Sequence, residues 1–410
     1  MTTGATISTL TNILKEKYEG PIRDLLNTKK ILMRMVRRGP KRDVEGKTIV
    51  IPMWTGRHHG YGSRAEDGDL PTAGSVGYRQ ANPTMRYHYL VVKITGPGIE
   101  AGKTDKGAFL RALNAELKGG LEGFLNDQNR QMFGDSSGIL TKCLAGGPST
   151  TVNLDTADSW GVQYPEVGQS IDIEEFADGT NLAADRTISS INKTAGTMVI
   201  SGAAVTTTTA HAVYVAGNRN LENMGLLGMI YDGDPGDLQT SGVGSLQALA
   251  VATEPNWAAY VDDNGGVLRD VSISLLQDQI IEIDLASGLG DEIGLIMCHH
   301  KTWKPYGLLL TPDRRYSHNA TKLEGGYRYL EFDGVPIMYD RHCQHNRMYF
   351  LNRNHLAIYE QTPIEWSARE GHILKWVTGK DGWQAFLHWY AQFVCTRRNA
   401  FGVLQDLKES

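Results

Sequence analysis

The 410-residue sequence holds four cysteines, Cys143, Cys298, Cys343 and Cys395, and none forms a CxxC pair. No disulfide framework can be read from that spacing, and reduced thiols are the expectation. Long apolar runs are also missing. No uncharged stretch approaches the ~18 residues of a membrane-spanning helix, so no membrane partner is expected. The opening MTTGATISTLTNILKEKYEG has no basic segment followed by an apolar one, which argues against a secretory signal and for a chain made in a cytoplasm. Nor does one sign of charge dominate. The 41 Lys and Arg against 46 Asp and Glu leave −5, with a pI near 6.2. That excludes a protein binding nucleic acid with its whole surface. Glycine is what abounds, 46 residues against a usual share of about 7%, and it signals turns and extended loops.

Residues 1–42 read as an arm. Ile7, Leu10, Ile13 and Leu14, then Ile22, Leu25, Leu26, Ile31, Leu32 and Met35, recur at helical spacing on either side of the break EGP. The arm ends in a basic run: Lys29, Lys30, Arg34, Arg37, Arg38, Lys41 and Arg42. Residues 43–99 read as a two-stranded arm, GKTIVIPMW running out and MRYHYLVVKITG running back. Between them, residues 55–83 show no core pattern. A loop of such length belongs to a function or a partner, and a lone hairpin is marginal in water.

Residues 100–145 contain a long helix predicted over 104–133, with Leu110, Leu113, Leu117, Leu121, Phe124, Leu125 and Met132 on one stripe. Gly119, Gly120 and Gly123 within it predict a bend or a close packing contact. The Thr- and Gly-rich segment 146–222 reads as a small all-β insertion. Residues 223–370 are mixed, with a helix over 267–286 and strands at IGLIMC, GVPIMYD and MYFLN. Residues 371–410 hold a long strand over 383–396, with Trp383, Ala385, Leu387, Trp389, Ala391, Phe393 and Cys395 on one face. A helix and a strand of matching length predict that one lies along the other in an α+β fold.

Three motifs raise chemistry. GPGIEAGKT at 96–104 follows an apolar strand and precedes the helix, the context of a phosphate loop. Its spacing fails, because three residues separate Gly98 from Gly102 and five separate Gly96 from it, and Pro97 has no N–H to donate. A turn from strand into helix explains it better. GDSSG at 134–138 matches a nucleophile elbow at Ser136, but a helix precedes it and a loop follows. Helix punctuation, with Gly134 in the left-handed cap position, is the expectation. Cys298-His299-His300 and His342-Cys343-x-His345 offer zinc-type ligands at the ends of two neighbouring strands. Their spacing matches no standard finger, and buried thiols with surface histidines account for them. No cofactor, metal or catalytic residue is therefore expected; a nucleotide or ester hydrolase is the reading from another class.

Charge offers a different candidate. Arg34, Arg37, Arg38, Lys41 and Arg42 are placed to meet Glu66, Asp67 and Asp69 of a neighbouring chain, fixing register between partners. The alternative is phosphate contact with nucleic acid. The sequence leaves both open. Trp54 and Arg64 complete the set of candidate inter-subunit contacts.

The order of parts resembles the major capsid protein of tailed double-stranded DNA bacteriophages, the Hong Kong 97-like fold. MRYHYLVVKITGPGIEAGKTDKGAFLRALNAELKGGLEGFLNDQNRQMFGD is similar to the returning extension-loop strand and spine helix. IGLIMCHHKTWKPYGLLL and LEFDGVPIMYDRHCQHNRMYFLNRNHLAIYE resemble the axial domain, and WQAFLHWYAQFVCTRRNAFGVL the long strand of the peripheral domain. The resemblance implies a structural, non-enzymatic subunit. It would self-assemble into hexamers and pentamers of an icosahedral shell around packaged double-stranded DNA, in the virion, after assembly in the bacterial host cytoplasm. Implied partners are a portal protein, a decoration protein, by non-specific contact the DNA and, since no scaffold-like region precedes the arm, a separate scaffolding protein, the alternative being a chain already processed. No lysine lies between Thr48 and Val92, so the family's Lys–Asn cross-link is not carried over to this loop. A same-fold alternative is an encapsulin-type compartment; chain length and the β insertion favour the virus.

Overall fold

The computed structural model describes residues 30–39, 49–98, 106–157, 160–230, 245–288, 293–310, 330–368 and 372–409, without the side chains of 106–115. The arm before Lys30, the basic residues Lys41 and Arg42, residues 99–105 of the glycine-rich turn, and the side chains of Leu110 and Leu113 lie outside that set.

The strand Gly382–Cys395 organises the first sheet. Its aromatic and apolar residues favour extended backbone, and 14 residues at about 3.3 Å each reach about 46 Å. Arg86–Thr95 pairs antiparallel along one edge, from Gly382↔Thr95 to Ala391↔Arg86. The other edge carries Leu356–Trp366 and Leu374–Trp376. The predicted face holds from Ala385 onward, since Ala385, Leu387, Trp389, Ala391, Phe393 and Cys395 are all buried, while Trp383 at its start is only half-buried. Trp389 donates its indole N–H to the buried Glu360 carboxylate at 2.9 Å.

The helix Lys106–Gln131 lies over this face. At 1.5 Å per residue its 26 residues span about 39 Å. Phe124 meets Trp389 edge to face with centroids 6.5 Å apart, and Leu121 and Leu125 join the same core. Gly120 marks the closest approach: a Cβ there would sit 3.2 Å from Leu90 and 3.3 Å from Val92. Gly119 and Gly123 meet nothing within 4 Å. The helix ends by tightening, with Phe133 and Gly134 donating to the carbonyls of Arg130 and Gln131 three residues back. Gly134 is therefore not the left-handed cap; that conformation falls later, at Ser136 (φ 76°) and Gly138 (φ 85°).

The two-stranded arm needs correction. Its strands are Ile51–Gly56 and Gly77–Ala81, in register Ile51↔Ala81 and Trp54↔Tyr78. MRYHYLVVKIT is not the returning strand of the hairpin but a strand of the long sheet, paired along its length with Gly382–Cys395. The cause is burial: His88, Val92 and Ile94 are covered there, whereas a lone hairpin has no core to offer.

The β insertion has its own core and a six-stranded antiparallel sheet. It begins at Ile139–Lys142, ahead of the composition shift at 146, because that first strand is apolar and reads like its surroundings. A third, mixed six-stranded sheet is ordered 260–262, 402–404, 348–351, 295–298, 335–339, 330–332. Its helix runs Ile273–Ser287 rather than from 267, because the Ser272 hydroxyl caps the Leu275 N–H and fixes the start. The chain crosses between sheets more often than linear boundaries allow. Leu356–Trp366 precedes residue 370 yet belongs to the first sheet, and Gly402–Leu404 returns to the third.

A buried polar network ties these regions together where the long helix ends. Arg130 donates to Asp127 at 2.9 Å and to Glu222 at 2.5 Å. Burial works against the Arg130 cation, but the two carboxylates outweigh it and hold its pKa above the ordinary arginine value. Gln131 accepts from the Asn223 N–H, and Asn129 donates to Asp340.

Candidate assembly surface

The hairpin is anchored at its base. Ile49, Ala81 and Met85 are buried, the Asn82 N–H donates to the Gln247 carbonyl at 2.7 Å, and Arg79 pairs with Glu254 at 2.7 Å. Beyond the base, polar residues and glycine dominate and no strand forms over 57–76. Its apolar side chains face outward: Trp54 is 72% exposed, Tyr61 73%, Leu70 88% and Tyr78 67%. Trp54 and Tyr78 stack across the strands with centroids 6.4 Å apart. The Trp54 indole N–H is satisfied locally by the Gly56 carbonyl at 2.9 Å, which leaves the ring face open. A folded chain does not gain from holding such a pair in water.

Glu66, Asp67 and Asp69 stand exposed at the tip. Arg64 shapes the loop rather than pairing with them, since it donates to the backbone carbonyls of Asp69 and Ser63. Of the basic run, Arg34 lies exposed on the short helix Ile31–Met35, and Arg37–Arg38 form a two-residue strand parallel to Leu356–Trp366. Arg38 already pairs with the buried Glu360 at 3.0 Å, although its side chain is 60% exposed. The structure thus brings basic residues to the edge of the long sheet and acidic residues to the tip of the hairpin. Among the described residues it does not bring the two sets together within one chain.

A further exposed strip was not singled out from the sequence. Tyr87, Tyr89 and Val91 alternate outward on the strand Arg86–Thr95, and Tyr87 packs edge to face on Tyr390 at 5.1 Å. Strict alternation within RYHYLVV is the signal that could have found it. On the inward side, burial against Trp389 lowers the His88 pKa to about 4.

The chemical motifs resolve separately. Gly96 packs so tightly on Asp381 that an added Cβ would lie 2.1 Å from its carboxylate, so this end of the glycine-rich turn is filled by protein. The Ser136 hydroxyl donates to the Glu222 carbonyl and accepts from Arg86, so it is held rather than activated. Cys298 and Cys343 are buried, and burial pushes both thiols well above their ordinary pKa. His342 joins Asn129 and Asp340 in the core, a buried role rather than the expected surface one. His299 and His345 do converge, on a partner the sequence reading missed, Glu409.

No protein-family model and no curated protein matches the chain. Solved structures do. The chain is similar to the capsid protein of Cyanophage A-1(L), with TM-score 0.57, 13% identity, and 98% of this chain and 99% of that one covered. It is similar to the encapsulin of the holo-SrpI complex from Synechococcus elongatus, with TM-score 0.51, 10% identity and 99% and 97% covered. It is also similar to the capsid of a native GTA particle, with TM-score 0.50, 10% identity and 96% and 95% covered. The α+β fold is that of these shell proteins over nearly their whole length, the Hong Kong 97-like fold.

Proposed function

We propose that the chain is the major capsid protein of a tailed double-stranded DNA phage, a structural subunit that assembles with copies of itself into an icosahedral shell. One observation carries this reading. On a shell-protein fold, a hairpin anchored at its base holds a stacked aromatic pair and an acidic tip in water. Buried beneath a neighbouring subunit, Trp54 and Tyr78 would each contribute on the order of 1.5–3 kcal/mol of apolar burial, repeated at every contact. In this reading residues 51–81 are the extension loop, Lys106–Gln131 the spine helix, and the two mixed-sheet regions the peripheral and axial domains. Hexamers and pentamers, a scaffolding protein, a portal, a decoration protein and packaged DNA are the partners it calls for, and the virion is its destination.

The encapsulin likeness favours a second reading, a compartment that encloses protein. Length does not separate the two, because the SrpI encapsulin matches over 97% of its own chain. The higher TM-score of the phage capsid protein supports the first reading. Negative-stain microscopy of the expressed chain, alone and with proteins encoded beside it, tests both. Shells or capsomer rings are the expected result. A folded chain that remains a small discrete oligomer under all conditions defeats the shell proposal, and shells filled with an enzyme from neighbouring genes rather than DNA would favour the compartment.

A further inference from the structure

Three segments remote in sequence converge at one end of the third sheet, beyond its strand termini. His299 ends the strand Leu295–Cys298 and caps the helix His300–Leu309. His345 sits in the turn between Val335–Tyr339 and Met348–Leu351. Glu409 follows the returning strand Gly402–Leu404. We propose that His299, His345 and Glu409 bind a divalent transition-metal ion of the zinc type, which clasps the C-terminal tail to this sheet.

The donor set and its spacing support the assignment. One ligating atom from each residue can be chosen so that all lie within 4.8 Å of one another. The pairs now in contact are closer: His345 Nδ1 is 2.8 Å from Glu409 Oε2, while His299 Nδ1, which accepts the Lys301 N–H as the helix cap, is 3.3 Å from the other oxygen, Oε1. Tetrahedral zinc with ligand bonds of about 2.1 Å requires donors about 3.4 Å apart. The His345–Glu409 pair would have to open by about 0.6 Å, and the donors, now within 4.8 Å of one another, would have to close around the ion.

The surroundings are prepared as well. Thr302 Oγ1 and the Asn346 N–H both donate to Glu409 Oε1 at 3.2 Å, which orients the carboxylate so that Oε2, now 2.8 Å from His345 Nδ1 and 4.0 Å from Lys301 Nζ, is the oxygen a metal would take. The His345 ring is seated against Gly161, where a Cβ would come within 2.7 Å of it. Gly161 also needs its positive φ of 56°, so this turn of the insertion is shaped to admit the ring. His300, exposed and with its ring 3.9 Å from that of His299, stands on the solvent side, where a water would complete the coordination. Both nearby thiols are spent in the core, so the donors are imidazole and carboxylate. That combination suits zinc, nickel or copper(II) better than thiophilic ions.

The test uses the full-length chain without a histidine tag, stripped with a chelator and titrated with zinc chloride by calorimetry, then with cobalt(II) by absorption. One ion per chain and the visible bands of tetrahedral cobalt are expected. His345→Gln and Glu409→Gln should each weaken zinc binding by more than about 100-fold, beyond the 10–100-fold that losing an outer hydrogen-bond partner costs. Zinc should raise the melting temperature of the parent chain and leave the variants unmoved. A parent chain that binds no stoichiometric zinc and gives no tetrahedral cobalt spectrum overturns the proposal, whether or not the variants fold. So does a His299→Gln/His345→Gln chain that binds zinc as tightly as the parent.

Discussion

The C-terminal end of the long helix and the tip of the hairpin are both polar, yet they solve opposite problems. At the helix end Arg130, Asp127, Glu222, Gln131 and Asn223 are joined by hydrogen bonds inside the chain. At the hairpin tip Glu66, Asp67 and Asp69 face water, with Trp54 and Tyr78 exposed behind them. Buried charge is tolerated only when paired, so the first region must complete itself within the fold. Exposed charge and a stacked aromatic pair cost little in water but become useful when a second surface covers them. One region specifies the subunit and the other is available to a neighbour.

The comparison breaks most sharply at Arg130. Replacing it with Met strands the buried Glu222 carboxylate, and the half-buried Asp127 with it, and should cost about 3–5 kcal/mol. Urea denaturation should show the loss, with soluble yield falling alongside it. Leu117→Pro comes next. It removes a helix hydrogen bond and clashes with the preceding turn, at a cost of about 3 kcal/mol or more. Circular dichroism and a melting curve would register it, and an unchanged melting temperature would mean that the long helix does not hold the sheet.

Acid should separate the two regions without mutation. His88 is buried between the long helix and the long sheet, and desolvation depresses its folded pKa to about 4. The unfolded chain, with histidine near 6.5, binds more protons between those values. Stability is therefore fully present above about pH 6.5 and falls as pH drops toward about 4, by on the order of 3 kcal/mol from this group. Urea midpoints at several pH values would trace the slope, and His88→Phe should make it shallower. An equally steep slope in that variant would assign the acid sensitivity elsewhere.

Much of this division was legible in the sequence. Residues 55–83 lacked a core pattern, and the exposed tip lies there. Trp389 and its neighbours alternated, and that face is buried. What failed was pairing. Nothing local in RYHYLVVKIT distinguishes a strand of the hairpin from one of the long sheet, because the partner is set by residues almost three hundred positions away. GYRQA, which does close the hairpin, has too little apolar content to announce a strand. The buried network was hidden for a similar reason, since Arg130 and Glu222 look like surface charge until the fold joins them. The metal-type cluster was half visible: His299 and His345 stood out, but Glu409 sits in a tail whose return to the third sheet no local pattern reveals.

The smallest effect on the subunit should come from the tip, where the effect on assembly should be large. Reversing Glu66, Asp67 and Asp69 to Lys touches no buried partner, so stability should move by no more than about 0.5 kcal/mol. Arg64 should keep the loop shape, because it holds the backbone carbonyls of Asp69 and Ser63 rather than the carboxylates. If the tip meets a basic edge such as Arg34 and Arg37 on the next subunit, the reversal turns attraction into repulsion. Shell yield should then fall while the melting temperature stays put. Added salt shortens the screening length from about 10 Å at 0.1 M to about 3 Å at 1 M, so it should partly restore the variant and weaken the parent. Unaltered assembly of the triple variant at low salt would remove the charge pairing and leave the exposed Trp54–Tyr78 stack as the contact to test.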